Sequence, residues 1–308
     1  MNNEIINDIN LIGTYYYIDN SPNGFSSSCL NLCTTDDDKI VKYSNDWLYL
    51  LNNGPDLNNI YNIIKNNKNT ATLINENVIP IITTFIGSIH GYAGIFSILE
   101  QYMNNLDLYK NYKIIVYKNI HKGILDIINF LFKDKDIIYI DHNIIYKFNK
   151  IYIIPNRLHS YFESVEISKK IIYFIDKYLI DKYLIDNKIC IIKHANSCIS
   201  STHGILSFET AQFIANKYNH TLIEPSNYNE IDLINILYNC KSLILSWGTT
   251  FMKNFIYISN LCENITVLII GDAFVNEYNY LKNNNKLISH FKNAKFTYIE
   301  LLINTTVN

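Results

Sequence analysis

The chain has 308 residues, of which 48% are hydrophobic and 18% are charged, and its formal net charge is −2. This composition supplies a large core and excludes a chain that is disordered throughout. Arg157 is the one arginine among 26 basic residues. Because arginine is the side chain best suited to reading base edges, we expect no sequence-specific nucleic-acid binding.

The N-terminal residues, MNNEIINDINLIGTYYYIDN, lack the basic start and the apolar run of a signal peptide. No stretch approaches the roughly 18 apolar residues that a membrane span needs. Among the six cysteines, Cys29 and Cys33 are close in sequence, but no second close pair completes a zinc site. The sequence therefore predicts a cytoplasmic protein with reduced, buried thiols, no membrane span and no metal.

In chain order, residues 1–75 are irregular, with loops and short strands expected in the turn-rich segment 21–39. From residue 78 onward, apolar runs alternate with segments of helical periodicity. The strands predicted in this half are 78–84, 112–118, 136–140 and 150–155, and the helices are 91–106 and 122–133. A long apolar-periodic segment, roughly 160–185, predicts a helix that joins two halves.

The second half repeats the alternation. Its predicted strands are 188–193, 221–225, 242–246 and 265–270, and its predicted helices are 207–218, 228–240 and 249–259. Ser207 and Asn229 are positioned to cap two of these helices. Strands that alternate with helices of this length indicate mainly parallel sheets with helices on both faces. We expect an α/β fold of two Rossmann-like domains, 1–165 and 166–308, facing across a cleft.

Polar residues follow the predicted strands of the second half, at the edge where ligands of parallel sheets bind. They are Lys193, His194 and Asn196; Glu224; Ser246, Trp247, Gly248 and Thr249; and Gly271 with Asp272. This edge offers a cation, backbone donors, an aromatic ring and carboxylates, which suits an anionic ligand such as a nucleotide-sugar. Lys193 also fits a solvated strand end, and Trp247 also fits a cap on the core.

The segment LILSWGTTFMKN (243–254) has the pattern of a buried strand, a glycine turn and a helix start. Free backbone N–H groups at a helix N-terminus bind phosphate well. We therefore predict that Gly248, Thr249 and Thr250 face the phosphates of a donor, with Trp247 near its base or sugar ring. The alternative is an ordinary junction between a strand and a helix.

The order of these segments resembles that of family 61 glycosyltransferases, which include O-linked N-acetylglucosaminyl- and xylosyltransferases of the GT-B type. Four segments within about 78–275 carry the resemblance: GSIHGYAGIFSILEQY, KIYIIPN, KICIIKHANSCISSTHGILSFETAQFIANKYN and LIEPSNYNEIDLINILYNCKSLILSWGTTFMKN. Three features depart from the family's pattern. A second arginine, which the family has a few residues after the first, has no counterpart in the segment SCISSTHG. Lys193 stands where the family usually has arginine, and Trp247 where it often has histidine.

The resemblance implies a glycosyltransferase, metal-independent and inverting, that moves a sugar from a nucleotide-sugar to a hydroxyl of a glycan or protein. It implies His90 as general base and Glu209 as a positioning group. It also implies a donor site whose members are Lys193, Glu224, Ser246, Trp247, Gly248, Thr249, Thr250 and Asn254. No separate cofactor is implied, because the nucleotide-sugar is the donor substrate.

Both residues to which the resemblance gives a catalytic role also fit structural roles. His90 fits a helix-capping or core imidazole, and Glu209 fits a first-turn acid that stabilises the helix dipole. A second function is a transferase-like protein without catalysis that binds glycan, nucleotide or a protein partner. A hydrolase is disfavoured, since the chain has no G-x-S-x-G motif.

Overall fold

The structure is a computed structural model. It describes residues 10–11, 14–20, 29–38, 40–41, 57–81, 110–132, 136–153, 188–192, 206–246, 257–258, 262–270 and 295–301. The chain divides into two compact units, Met1–Ser160 and Tyr161–Asn308. The domain boundary predicted after residue 165 falls in segment 154–187, which lies outside the described residues.

The N-terminal unit contains one mixed sheet and two described α-helices. Its strands are β1 (Asn10–Leu11), β2 (Tyr15–Asn20), β3 (Cys29–Thr34), β4 (Ile40–Val41), β5 (Thr72–Pro80), β6 (Lys113–Tyr117), β7 (Ile137–Ile140) and β8 (Ile145–Ile153). Its helices are α1 (Leu57–Asn66) and α2 (Lys122–Leu131). The strand order is β4-β3-β2-β8-β5-β6-β7, and β1 also pairs with β8.

This first sheet corrects the prediction of a mainly parallel sheet. β5 pairs in parallel with both β6 and β8, and β6 pairs in parallel with β7. The strands β1 to β4, in contrast, make antiparallel pairs. Short connections explain two of these pairs, β2 with β3 and β3 with β4, because antiparallel strands can be joined by a few residues whereas parallel strands need a longer crossover. Only five residues separate β3 from β4.

Helix α1 covers the antiparallel part of this sheet. Ile60 and Ile64 lie one turn apart on the helix and are almost fully buried. They pack against Tyr15 and Tyr17 of β2 and against Ile145 of β8. The spacing of the two isoleucines is that of a single helix face, so a helix rich in asparagine still contributes to the core.

The second unit contains a five-stranded parallel sheet. Its strands are β9 (Lys188–Ile191), β10 (Thr221–Leu222), β11 (Ser242–Ser246), β12 (Asn264–Ile270) and β13 (Lys295–Leu301), and its described α-helices are α3 (Phe208–Lys217) and α4 (Glu230–Tyr238). The order is β10-β9-β11-β12-β13, and every pairing is parallel. Numbered from β9, this is 2-1-3-4-5, a common order of doubly wound sheets.

Both faces of the central strands are buried, as expected for a parallel sheet. Ala211 and Ala215 of α3 pack on one face, in a cluster formed with Cys190, Ile192, Leu206, Ile244, Leu268 and Ile270. Small alanine side chains on α3 allow the helix backbone to approach the sheet. The two predicted caps are confirmed: Ser207 Oγ accepts from the amide of Thr210 at 3.1 Å, and Asn229 Oδ1 accepts from Asp232 at 2.9 Å.

Some predicted elements differ from the structure or lie outside the described residues. β10 is shorter than the predicted strand 221–225, because Pro225–Asn227 form a 3-10 helix. β8 starts at Ile145, before the predicted strand 150–155. The helices predicted at 91–106 and 160–185 lie outside the described residues. So does most of the helix predicted at 249–259, in which Tyr257 and Ile258 are described and are not helical.

Candidate functional site

The second sheet has a topological switch point between β9 and β11. These strands are neighbours, yet β9 connects to β10 on one side, whereas β11 connects to β12 on the other. In doubly wound sheets the chain leaves two such strands in opposite directions, and ligands bind in the crevice between the connections. Ile191 pairs with Leu245 just before that crevice.

The strand register identifies the described residues at the crevice. Leu222, Cys190, Ile244 and Thr266 form one row across the sheet. Two residues further along the first three of these segments come Glu224, Ile192 and Ser246. The amide of Ile223 donates to Cys190 O at 2.8 Å, which holds Glu224 beside the end of β9. Two predicted donor-site residues, Glu224 and Ser246, therefore flank the residue that precedes Lys193 in the sequence.

Ser246 is a polar residue at the end of an apolar strand. It is only 4% exposed, and the three residues before it, Leu243–Leu245, are buried and apolar. A hydroxyl at this position can both donate and accept a hydrogen bond. Because β11 is flanked by β9 and β12, Ser246 is held at the centre of the carboxyl edge rather than at its margin.

Glu224 occupies the start of the 3-10 helix Pro225–Asn227. Its side chain is half-buried, and Ser226 Oγ donates to Glu224 Oε1 at 3.3 Å. That bond engages one oxygen of the carboxylate and orients the group. A carboxylate at the carboxyl edge of a doubly wound sheet can accept hydrogen bonds from ribose hydroxyls.

Glu209 lies in the first turn of α3 and is exposed. Its own backbone N–H and the Ser207 hydroxyl, both hydrogen-bonded to the carboxylate, lower the pKa of Glu209. This contact is the one expected for a first-turn acid that stabilises the helix N-terminus. The positioning of a donor by Glu209 stays a prediction.

Sequence reasoning missed a further acid at the carboxyl edge of the second sheet. Glu230 is the first residue of α4, which follows β10, and its side chain is only 4% exposed. Charged side chains are seldom buried to this extent without a specific role or partner. The signal in the sequence was the acid directly after the Asn229 cap.

Seven predicted site residues lie outside the described residues: His90, Lys193, Trp247, Gly248, Thr249, Thr250 and Asn254.

The first sheet carries a polar cluster that sequence reasoning also missed. Lys118 follows β6 and Asp141 follows β7, so both lie at the carboxyl ends of parallel neighbours. Lys118 Nζ contacts Asp141 Oδ2 at 2.6 Å, and the amide of Asp141 donates to the Tyr146 hydroxyl at 2.9 Å. The carboxylate raises the pKa of Lys118 through this hydrogen bond. The rule applied to the second sheet would have identified these residues in the first.

His142 completes this cluster. Its ring lies against the Tyr117 ring, with centroids 3.6 Å apart, and its Nδ1 is buried with no hydrogen-bond partner among the described residues. Burial lowers the pKa of His142 to about 4, so the imidazole is neutral at pH 7. A neutral imidazole can accept a proton, but one with so low a pKa is a weaker base than an ordinary histidine.

The lowered pKa predicts a pH-dependent loss of stability. In the unfolded chain His142 takes up a proton near pH 6.5, whereas in the native chain it does so only near pH 4. The unfolded state therefore binds more protons between these values, and this contribution is complete above pH 6.5 and lost as the pH falls toward 4. We expect His142→Gln to reduce the loss of unfolding free energy at acid pH by about 1 kcal/mol. This value is lower than the pKa shift alone would give, because the His142 side chain is partly exposed.

Urea unfolding at pH 7.0, 5.5 and 4.5 measures this effect, with the wild type and His142→Gln compared at each pH. An NMR titration of the His142 ring protons gives the native pKa directly. Equal pH slopes for the two proteins, together with a titration near pH 6.5, would contradict the burial of this imidazole.

No family model matches the chain, and no curated protein matches it. Within the described residues, no helix is long and apolar enough to cross a membrane, and no cluster of His, Cys, Asp and Glu is arranged to hold a metal ion. The fold defines a mixed α/β protein, whose second unit has a parallel sheet with the strand order 2-1-3-4-5.

Proposed function

We propose that the protein is a nucleotide-sugar-dependent glycosyltransferase whose donor binds at the carboxyl edge of β9 and β11. The observation that supports this most is the switch point itself, where β9 and β11 are adjacent and Glu224 and Ser246 stand beside their ends. Doubly wound sheets bind nucleotides in such crevices. The proposal includes the GT-B arrangement predicted from the sequence, two Rossmann-like domains facing across a cleft.

In this proposal each donor-side residue has a chemical task. The nucleoside diphosphate gains negative charge as the glycosidic bond breaks, and fixed positive groups stabilise that charge. Lys193 supplies a point charge, and the amides of Thr249 and Thr250 supply helix N-terminal donors. Glu224 accepts hydrogen bonds from the ribose, and Trp247 stacks on a ring. No metal is required when these groups balance the charge.

The acceptor side is assigned to the N-terminal unit. A hydroxyl of a glycan or protein must lose its proton as it attacks the sugar, and His90 is the base proposed from the sequence. His142 is a second imidazole at the carboxyl edge of the first sheet, where its neutral form and the nearby Lys118–Asp141 pair offer polar contacts to a hydroxyl-rich ligand.

One observation favours the second candidate, a binding protein without catalysis. Arg157 is the only arginine in the chain, and lysine lacks the planar fork with which arginine grips a diphosphate. Such a protein would still bind a nucleotide or a glycan. The two candidates differ in turnover, so a transferase assay separates them once a ligand is known.

The first test is a thermal-shift screen against UDP, GDP, CMP and their common sugars, without metal and then with Mn²⁺. A ligand specific for the native state stabilises it by about 2.7 kcal/mol at 100 times its Kd, which gives a clear rise in Tm. We expect one nucleotide class to act without metal and Lys193→Ala to weaken its binding about 10- to 100-fold, because a hydrogen bond to a charged group is lost.

Lys188→Ala is the matched control. Lys188 is exposed at the start of β9, whereas Lys193 follows the carboxyl end of the same strand. A loss of affinity in Lys193→Ala alone supports a donor site at the carboxyl edge of β9 and β11. Equal losses in both variants indicate a general charge effect, and no binding of any nucleotide contradicts the transferase proposal. Binding without transfer or hydrolysis supports the second candidate.

A further inference from the structure

Two buried cysteines stand side by side at the amino edge of the second sheet. Cys240 lies two residues before Ser242, the first residue of β11, and Cys262 lies two residues before Asn264, the first residue of β12. Ser242 pairs with Asn264 in the parallel register, so each cysteine lies two residues before one member of this pair. Both are reduced thiols, 0% and 1% exposed.

The two thiols contact each other. The side chains of Cys240 and Cys262 lie within hydrogen-bonding reach of each other. Each sulfur also has a backbone acceptor two residues further along: Cys240 Sγ donates to Ser242 O at 3.0 Å, and Cys262 Sγ to Asn264 O at 3.5 Å. Neighbouring strands lie about 4.8 Å apart, and disulfides typically join Cα atoms about 4.4–6.8 Å apart. The spacing of the two strands that follow the cysteines therefore falls within the range that a disulfide spans.

The contact changes the acidity of both thiols. Hydrogen bonding with Cys262 lowers the pKa of Cys240. The same contact, together with burial, raises the pKa of Cys262. Thiolate is the nucleophilic form of cysteine, and whichever sulfur is oxidised first has the other thiol beside it to form the disulfide.

We propose that Cys240 and Cys262 form an oxidisable dithiol that closes to an intramolecular disulfide in the presence of a hydroperoxide. In the first step the thiolate of one cysteine attacks the peroxide, the O–O bond breaks, and a sulfenic acid and one molecule of water or alcohol form. In the second step the sulfur of the other cysteine attacks the sulfenic sulfur, the S–S bond forms and water leaves. Two thiols lose two electrons and two protons, and one peroxide bond is reduced.

The disulfide would restrict the segment between its two cysteines. Residues 241–261 include β11 and the predicted donor-site segment 247–254. Closing a loop of this length restricts the unfolded chain, so the oxidised protein is expected to melt about 5–10 °C above the reduced protein. This consequence does not depend on whether the protein binds a nucleotide.

Peptide mapping under non-reducing conditions tests the proposal. The full chain is treated with hydrogen peroxide, remaining thiols are alkylated, and the digest is analysed by mass spectrometry. We expect a linked peptide pair containing Cys240 and Cys262, which is absent in Cys240→Ala and Cys262→Ala. Cys190→Ala is the matched control, because Cys190 is a buried thiol of β9 in the same sheet, with a pKa that burial raises to about 12.

A second measurement tests the disulfide without requiring peroxide to reach the buried sulfur atoms. The chain is oxidised in urea, refolded, and equilibrated in glutathione redox buffers, and a reduced native sample is equilibrated in the same buffers. The proposal requires both samples to reach the same fraction of Cys240–Cys262 disulfide in each buffer. It also requires the native protein to form this disulfide at a lower proportion of oxidised glutathione than the urea-unfolded chain does. A native fold that expels the disulfide, or that favours it no more than unfolded chain does, overturns the proposal.

Discussion

Replacing Ile244 by alanine is expected to lower the free energy of unfolding of the second unit by about 2–5 kcal/mol, the range for large-to-small changes in a packed core. Ile244 is 2% exposed at the middle of β11, which has β9 on one side and β12 on the other. It packs in the cluster that joins the sheet to α3. The variant loses buried apolar area and leaves a cavity that the neighbouring strands cannot fill.

Urea unfolding followed by tryptophan fluorescence measures this loss. A Trp47→Phe background leaves Trp247, which directly follows β11 in the sequence, as the one tryptophan. Phe213→Ala is the control, because Phe213 is a larger apolar residue on α3 but is 65% exposed, and its removal should change the free energy by about 0.5 kcal/mol or less. If the two variants lose equal stability, Ile244 is not a core residue of this sheet.

The sequence predicted the strands and helices of residues 188–246 closely, because each signal there is local. β9 and β11 are short apolar runs, and α3 and α4 begin at residues whose side chains cap them, Ser207 and Asn229. Burial on both faces makes such strands apolar throughout. A strand of this kind is recognised from its own residues.

The antiparallel part of the first sheet depends on distant residues and was predicted only as short strands. Tyr15–Tyr17 pair with Ile145–Lys147, about 130 positions away in the sequence. The first half of β5, Thr72–Glu76, also depends on a distant partner. It is largely exposed, and its apolar residues, Leu73 and Ile74, are too few for the pattern of a buried strand. Parallel pairing with β8 makes this segment a strand. No local pattern contains that information.

The candidate site also has one part that local sequence signals predict and another that depends on strand order. The rule that polar residues follow parallel strands identified Glu224 and Ser246 from the sequence. The adjacency of β9 and β11, which makes their carboxyl ends a switch point, is a property of strand order. The Lys118–Asp141 contact needed the pairing of β6 with β7 to become visible. The sequence therefore predicts which residues lie at the carboxyl edge of a sheet, and the strand order determines which of these residues are neighbours.

Thr249→Glu is expected to weaken nucleotide binding about 100-fold or more, provided that the nucleotide screen finds a ligand. In the sequence-based prediction, the backbone amides at Thr249 and Thr250 face the donor phosphates. A glutamate there would bring a negative charge against the diphosphate, and like charges at a binding site cost several kcal/mol. Each 1.4 kcal/mol is a factor of ten in Kd. Isothermal titration calorimetry of the wild type and the variant measures the change.

Two further variants separate charge from shape and from position. Thr249→Gln has the size of the glutamate without its charge, so it should keep most of the affinity if repulsion is the cause. Thr221→Glu adds the same charge to an exposed residue at the start of β10, on the amino edge of the same sheet, and should leave the affinity within about threefold, since the charge is screened over that distance. Unchanged affinity in Thr249→Glu would exclude phosphate binding at this turn, whereas equal losses in the glutamate and glutamine variants would attribute the effect to shape.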